Sequence, residues 1–94
     1  MRVKWVQVAI QNLNAEAEYI ANDNPNAASR TVELIFRAVR QLNNFPSIGR
    51  PGRVPGTREL VVTGTPYIVP YRVRAGEIEV LRVLHGSRRW PTEF

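Results

Sequence analysis

The spacing of apolar residues changes along the chain, and this change constrains the fold more than any other feature of the sequence. Two consecutive stripes repeat at three- and four-residue intervals: Val6, Ile10, Leu13, Ala17 and Ile20, then Ala28, Val32, Ile35, Val39 and Leu42. This period indicates two amphipathic helices. Residues 22–26 separate the stripes, because Asn or Asp caps a helix N-terminus and proline is tolerated at the first helical position. The sequence therefore predicts an antiparallel helical hairpin.

The other regular segments show the two-residue alternation typical of strands. Arg2–Trp5 predicts a short first strand, and residues 58–63, 67–74 and 77–84 predict three more, joined by tight turns as in an antiparallel meander. Residues 43–57 are rich in proline and glycine, so we expect no regular element there. The predicted fold is a single α+β domain over residues 1–94, in the order β-α-α-β-β-β, with the helical hairpin packed on a small, mainly antiparallel sheet.

Alternation along the middle strand separates an apolar face from a charged face. Tyr67, Val69, Tyr71 and Val73 share the apolar face, which we expect in the core, and Ile68, Arg72 and Arg74 share the other. Pro70 cannot donate to a strand ladder, so a bulge or an unpaired edge is expected there. Both faces of residues 77–84 are largely apolar, which predicts a continuous strand buried on two sides.

Composition excludes several classes of protein. The chain has no cysteine, which removes disulfides, thiolate catalysis and zinc sites built on sulfur, and we expect no metal and no cofactor. No apolar run reaches the roughly 18 residues of a membrane span, and no signal-peptide core follows the N-terminus. We therefore expect a cytoplasmic protein without a membrane partner. Apolar residues make up 44% of the chain, which favours an ordered globular domain.

Positive charge is concentrated in the second half of the chain. The formal net charge is +5, and twelve of the thirteen cationic residues are arginine, which favours forked or stacking contacts. Residues 1–49 carry a net charge of +1, whereas residues 50–94 carry +4. Nucleic acid, a nucleic-acid-bound protein or an acidic peptide should meet the second half.

Six short segments, in order along the chain, resemble hallmarks of ParE-type toxins of the ParE/RelE superfamily. They are YIA (19–21), NPNAA (24–28), GRPGR (49–53), GTRELVV (56–62), PYIVPYRV (66–73) and LHGSRRWP (84–91). The resemblance implies the β-α-α-β-β-β fold, a cognate protein antitoxin encoded beside the toxin, and inhibition of DNA gyrase when the toxin is free. The sister RelE-like branch instead cuts messenger RNA on the ribosome. The two branches share a fold, so the fold does not choose between them.

The residues themselves favour a toxin that is not an enzyme. Cutting RNA through the 2′-hydroxyl requires a base, an acid and cations for the phosphorus charge, but the chain has one histidine and one lysine. A minimal nuclease would use His85 or Glu59 as the base and Arg72 and Arg74 on the phosphate, with Tyr71 stacking a base. We expect instead that His85 is structural, that Glu59 forms an ion pair, and that Tyr67 and Tyr71 lie in the core.

The candidate target-binding residues combine arginines with one large aromatic residue. Arginine and tryptophan dominate binding hot spots, so the predicted set is Arg50, Arg53, Arg72, Arg74, Arg88, Arg89 and Trp90. Trp90 has an alternative interpretation, in which its ring closes the sheet while the arginines remain solvated.

The antitoxin is expected to bind as an acidic amphipathic segment along the helical hairpin and the sheet edge. The predicted contacts are Ile10, Leu13, Ile20, Val32, Ile35, Val39, Arg58 and Arg82. The expected assembly is a toxin–antitoxin hetero-oligomer that meets operator DNA only through the antitoxin. A third possibility is a binding module that has lost toxicity and serves only as an antitoxin-bound corepressor.

Overall fold

A computed structural model describes residues 1–94 and contains two helices and six strands. The elements are β1 (Arg2–Trp5), α1 (Gln7–Asp23), α2 (Pro25–Gln41), β2 (Arg50–Pro51), β3 (Arg58–Val61), β4 (Tyr67–Arg74), β5 (Glu77–Val80) and β6 (Leu84–His85). The predicted α+β fold and its order of elements are confirmed, with β2 and β6 as additional short strands. None of the helices is long and apolar enough to span a membrane.

The sheet has the strand order β1-β5-β4-β3-β2, and β6 pairs with β4 beyond the end of β5. β1 pairs with β5 in parallel, and every other pair is antiparallel, so the sheet is mainly antiparallel as predicted. The helical hairpin covers one face. Residues from both helices and from β3, β4 and β5 form one buried cluster, which includes Leu13, Ile35, Val39, Leu60, Val69, Tyr71, Ile78 and Val80.

The junction between the helices follows the predicted capping chemistry. The Asn24 side chain accepts a hydrogen bond from the backbone N–H of Ala27 at 3.1 Å, and Pro25 occupies the first helical position. The predicted stripe of α2 is buried at Ala28, Ile35 and Val39.

The prediction of which residues of α1 are buried is partly wrong. Ala9 is fully buried against the sheet, whereas Ile10 is 45% exposed. Leu13 is buried and Ala17 and Ile20 are half-buried as predicted, so the prediction fails only at the start of the helix, where Ala9 is buried in place of Ile10. A small side chain at the contact lets the helix axis approach the strands closely, and adjacent helical residues point in directions about 100° apart.

Pro70 marks the break that divides the predicted last strand. β5 ends at Val80, opposite Tyr71, and pairing with β4 resumes one residue out of step, at Leu84 opposite Ile68. The bulge expected at Pro70 is thus present in the facing segment, and the prediction of one continuous strand over residues 77–84 is wrong.

The hydrogen bonds at this bulge explain how the sheet tolerates proline. The Leu81 N–H donates to the Pro70 carbonyl at 2.9 Å, but proline has no N–H to return to the Leu81 carbonyl. Arg82 supplies that donor, because its Nη1 donates to the Leu81 carbonyl oxygen at 2.6 Å. Leu81 and Val83 are both buried, in line with the predicted two-sided burial of this segment.

Two further predictions about the strands require correction. Val73 is 43% exposed and not part of the core, because β3 begins at Arg58 opposite Tyr71 and gives Val73 no neighbour on that side. The proline- and glycine-rich segment also holds a regular element. β2 pairs with the start of β3, with Arg50 opposite Glu59.

Tyr71 fastens the same segment to the core. Its hydroxyl donates to the Pro46 carbonyl at 2.8 Å and accepts from the Gly49 N–H at 2.9 Å. A Cβ at position 49 would lie 2.6 Å from the Tyr71 ring, so only glycine allows this approach. The segment from residue 46 to β2 is therefore positioned by a buried side chain of the central strand.

Candidate functional site

The face of the sheet opposite the helices carries charged residues from five strands. Directly paired residues in a sheet share a face, so the strand registers bring these residues together. We call this surface the arginine face and define it by Arg2, Lys4, Arg50, Arg53, Glu59, Arg72, Arg74, Glu77 and Glu79. Six cations and three carboxylates make its formal charge +3.

Glu59 is the centre of the first group on the arginine face. Its side chain is only 2% exposed, and Oε1 accepts from Nε and Nη2 of Arg50 at 3.1 and 3.0 Å. Oε2 accepts from the backbone N–H of Arg53 at 2.8 Å and lies 3.6 Å from the Arg53 Nε. The side chains of Arg50 and Arg53 are themselves about half exposed. A buried carboxylate therefore fixes the orientation of two accessible cations.

Glu79 organises a second pair in the same way. Arg72 Nε donates to Glu79 Oε1 at 2.5 Å, and Arg74 Nε lies 3.6 Å from the same oxygen. The hydrogen bond from Arg72 holds the pKa of the Glu79 carboxyl below its ordinary value. The carboxylate is therefore ionised near neutral pH, and four arginines on this face are arranged as two pairs.

The C-terminal tail, residues 86–94, passes from the helical side of the molecule to the arginine face. Arg88 Nη1 donates to Glu16 Oε2 on α1 at 2.8 Å. Two residues later, the Trp90 ring lies beneath Arg53, with the guanidinium carbon 3.8 Å from the ring centroid. The Trp90 Nε1 is buried and has no hydrogen-bond acceptor. The tail is therefore anchored on both sides of the sheet.

The structure gathers five of the seven predicted target-binding residues on one surface. Arg50, Arg53, Arg72 and Arg74 belong to the arginine face, and Trp90 is docked onto it. Arg88 and Arg89 differ, because the Arg88 side chain is held on α1 and Arg89 is an exposed residue of the tail. Glu79 was not among the predicted site residues; its position opposite Arg72 follows from the hairpin register and could have suggested its role.

The candidate bases and the phosphate-binding arginines of the minimal nuclease do not converge. His85 pairs with Tyr67 on the helical side of the sheet, where the two ring centroids are 5.7 Å apart. Its Nδ1 lies 2.8 Å from the Ser87 hydroxyl and 3.2 Å from the Ser87 backbone N–H. Glu59 lies on the opposite face with both oxygens in ion pairs. The carboxylate beside Arg72 and Arg74 is Glu79, which is ion-paired with both, and neither His85 nor Glu59 pairs with those two arginines.

The two tyrosines of β4 lie in the core, as predicted. Tyr71 is fully buried, and this burial raises the pKa of its hydroxyl. Tyr67 donates from its hydroxyl to Glu16 Oε1 at 2.9 Å. Burial, and then the carboxylate of Glu16, raise the pKa of Tyr67 to about 12. Tyr71 is therefore not accessible for stacking on a nucleic-acid base.

Several of the predicted antitoxin contacts have other environments. Leu13, Ile35 and Val39 are at most 6% exposed and belong to the core, so they are removed from the predicted binding surface. Arg58 donates from Nη1 to the Gly49 carbonyl at 2.8 Å, and Arg82 donates to the Leu81 carbonyl. Both arginines thus stabilise the chain's own backbone.

The remaining apolar residues of this set are distributed over the hairpin. Ile10 is exposed, and Ile20 and Val32 are half-buried. Val32 lies in an open groove between α1 and α2, with a volume of about 720 Å³. Ten residues line the groove, and they include two carboxylates and one guanidinium group: Ala17, Glu18, Ala21, Pro25, Ala28, Ser29, Val32, Glu33, Phe36 and Arg40. Sequence reasoning missed Phe36, although an aromatic residue next to the Ile35 stripe was an available signal for a wider apolar face.

Comparison with known proteins assigns the chain to a family. Residues 3–90 match the family model described as ParE toxin of type II toxin-antitoxin system, parDE. The chain is 43% identical over 90 residues to the putative toxin Y4kP of Sinorhizobium fredii, covering 96% of this chain and 93% of the relative. It is 33% identical over 87 residues to toxin RelE2 of Caulobacter vibrioides, covering 93% and 97%.

A solved structure has the same fold. A chain of the chromosomal ParDE toxin–antitoxin system from P. aeruginosa superposes with a TM-score of 0.81 and 33% identity, covering 90% of this chain and 95% of the other. The fold and these matches together place the chain among the toxins of the ParE/RelE superfamily. The chain belongs to the ParE toxin family of type II toxin–antitoxin systems. Membership implies a cognate protein antitoxin.

Proposed function

We propose that the free toxin inhibits DNA gyrase by binding it through the arginine face and the C-terminal tail, without breaking a bond in the target. One observation carries this proposal: the carboxylates beside the arginines, Glu59 and Glu79, are each ion-paired with two arginines, and the single histidine lies on the other face of the sheet. His85 is on the helical side of the sheet, and the Glu59 carboxylate is occupied by Arg50 and Arg53. Preorganised guanidinium groups suit recognition of an acidic or phosphate-bearing assembly.

The antitoxin is proposed to occupy the groove between α1 and α2. An amphipathic helix or extended segment would place its apolar side chains against Val32 and Phe36, and a carboxylate would meet Arg40 at the same groove. The groove is bordered by Glu18 and Glu33 as well as by Arg40, so the part of the segment held there would be mainly apolar, and acidic residues flanking it would meet the arginine-rich second half of the chain. Binding there leaves the toxin in a hetero-oligomer, in which operator DNA is contacted by the antitoxin.

A supercoiling assay with purified gyrase tests the target. The Arg72→Ala, Arg74→Ala double variant should weaken inhibition by at least about tenfold, which corresponds to losing about 1.4 kcal/mol of binding. The matched control removes the same charge from the helical side, by Arg30→Ala with Arg37→Ala, and should inhibit as the parent does. Equal inhibition by the two double variants would contradict the assignment of the arginine face.

The second candidate function is ribosome-dependent cleavage of messenger RNA. It is favoured by the 33% identity to a relative named toxin RelE2. A translation assay with ribosomes and a defined transcript distinguishes it, since the gyrase proposal predicts no cleavage and full growth inhibition by His85→Ala. Codon-specific cleavage that disappears in His85→Ala would establish the nuclease instead. If the protein neither inhibits gyrase nor cleaves the transcript, the remaining function is that of an antitoxin-bound corepressor without toxicity.

A further inference from the structure

We propose that Glu59, although buried, is a positioning residue for the C-terminal tail: it holds Arg53 in the orientation that seats Trp90 on the arginine face. The proposal rests on the gyrase-binding function proposed above, because it describes how the tail's aromatic residue is presented to that target. Glu59 itself is only 2% exposed and cannot contact a partner directly. Its influence therefore passes through Arg53.

Glu59 holds Arg53 at two points. The backbone N–H of Arg53 donates to Glu59 Oε2 at 2.8 Å, and the Arg53 Nε lies 3.6 Å from the same oxygen. Arg50 binds the other carboxylate oxygen, so it competes for neither contact. With its main chain and Nε both held by Glu59, Arg53 places its guanidinium carbon over the Trp90 ring, 3.8 Å from the ring centroid.

The Trp90 ring depends on this stacking contact. Its Nε1–H has no acceptor, so no hydrogen bond from the indole to the sheet fixes its orientation. The neighbouring anchor, Arg88 to Glu16, lies on the helical side and does not determine where the ring settles on the arginine face. A cation–π contact is therefore the polar interaction that orients the indole.

Glu79 provides a matched comparison within the same surface. It also lies on the arginine face and also holds two arginines, Arg72 and Arg74. Neither of those arginines stacks on Trp90, whereas Arg53 does. If a glutamate on this face acted only through stability or overall charge, neutralising Glu59 and neutralising Glu79 would have the same consequence for the tail.

The first experiment measures how well Trp90 is shielded. The chain has two tryptophans, so the Trp5→Phe background leaves Trp90 as the single emitter. Glu59→Gln and Arg53→Ala should each raise acrylamide quenching of Trp90. The equilibrium between the docked and the undocked tail should shift toward the undocked tail by about 2- to 5-fold, which is the size expected for one solvent-exposed cation–π contact. Glu79→Gln should leave the quenching unchanged. Equal effects of Glu59→Gln and Glu79→Gln would overturn the proposal.

The second experiment asks whether Glu59 acts on the target through Trp90. In a double-mutant cycle on gyrase inhibition, Glu59→Gln should weaken the parent but add almost nothing to Trp90→Ala. Glu79→Gln should instead weaken both backgrounds by the same factor, because it acts on Arg72 and Arg74. A full additional loss from Glu59→Gln in the Trp90→Ala background would refute the positioning role, and so would stronger inhibition after release of the tail.

The tests still give an answer if Glu59→Gln does not fold or if the parent toxin does not inhibit gyrase. Arg53 is about half exposed, so Arg53→Ala still tests the stacking step if Glu59→Gln does not fold, and unchanged quenching of Trp90 in Arg53→Ala would by itself overturn the proposal. If the parent toxin does not inhibit gyrase, the proposed function fails, while the quenching comparison still decides whether Glu59 and Arg53 seat Trp90.

Discussion

Replacing Tyr71 with phenylalanine should destabilise the protein more than the loss of one oxygen atom suggests. The hydroxyl joins two backbone groups of the preceding loop to the centre of the sheet, donating to Pro46 and accepting from Gly49. Phenylalanine preserves the ring, which is fully buried. The Tyr71→Phe variant therefore removes the two hydrogen bonds without creating a large cavity.

The magnitude follows from the surroundings of the two partners. Gly49 is buried, so its N–H loses its acceptor without gaining water, at a cost of about 1–3 kcal/mol. The Pro46 carbonyl is half-buried and can be solvated again, so its loss is about 0.5–1.5 kcal/mol. The free energy of unfolding should fall by about 1.5–4.5 kcal/mol. This corresponds to a decrease in Tm of roughly 6–36 °C for a domain of this size.

Urea denaturation followed by tryptophan fluorescence measures the change directly. Tyr19→Phe is the control, because Tyr19 is 66% exposed and its substitution should change the free energy of unfolding by less than about 0.5 kcal/mol. Limited proteolysis of Tyr71→Phe should also cleave residues 43–57 earlier than in the parent. A loss no larger than that of Tyr19→Phe would refute the claim that this hydroxyl fastens the loop to the core.

Three further predictions concern other parts of the molecule. Ala75 has a φ of 53° in the tight turn before Gly76, so Ala75→Asn should raise the free energy of unfolding by about 0.5–1 kcal/mol in urea titrations, and a decrease would contradict the turn geometry. The pKa of Tyr67 is raised to about 12, so its contribution to stability should be complete below pH 10 and lost as the pH rises towards 12. Tyr67→Phe should show a smaller alkaline decrease in the urea midpoint than the parent, because Tyr71, whose pKa is also raised, still contributes. Phe36→Asp should weaken antitoxin binding in calorimetry by at least about tenfold, whereas Val8→Asp, also exposed on the hairpin, should not.

Sequence reasoning succeeded where the determining interactions are local. The three- and four-residue spacing places α1 and α2, and Asn24 with Pro25 specifies the junction between them. The alternation in β4 separates Tyr67 and Tyr71 from Arg72 and Arg74 correctly. These features depend on residues a few positions apart, whose relative directions are set by the backbone period alone.

Prediction from the sequence failed where the outcome depends on how two segments distant in the chain are aligned against each other. Continuous apolar character suggested one strand over residues 77–84, but the missing N–H of Pro70 interrupts it. Burial of Ala9 in place of Ile10 likewise depends on how closely α1 approaches the sheet. An apolar pattern indicates which residues can be buried. Only packing against a partner element decides which of two neighbouring apolar residues is buried.

In the candidate site too, some features were determined by the sequence and others only by the tertiary structure. The chain's own composition determined that the second half is rich in arginine, that cysteine chemistry is absent, and that a two-histidine mechanism is impossible. Tertiary structure decided that Glu59 and Glu79 each hold two arginines on one face, and that His85 lies on the other. The physical reason is that charge belongs to a residue wherever it lies, whereas an ion pair requires two side chains that strand pairing has placed within a few ångströms.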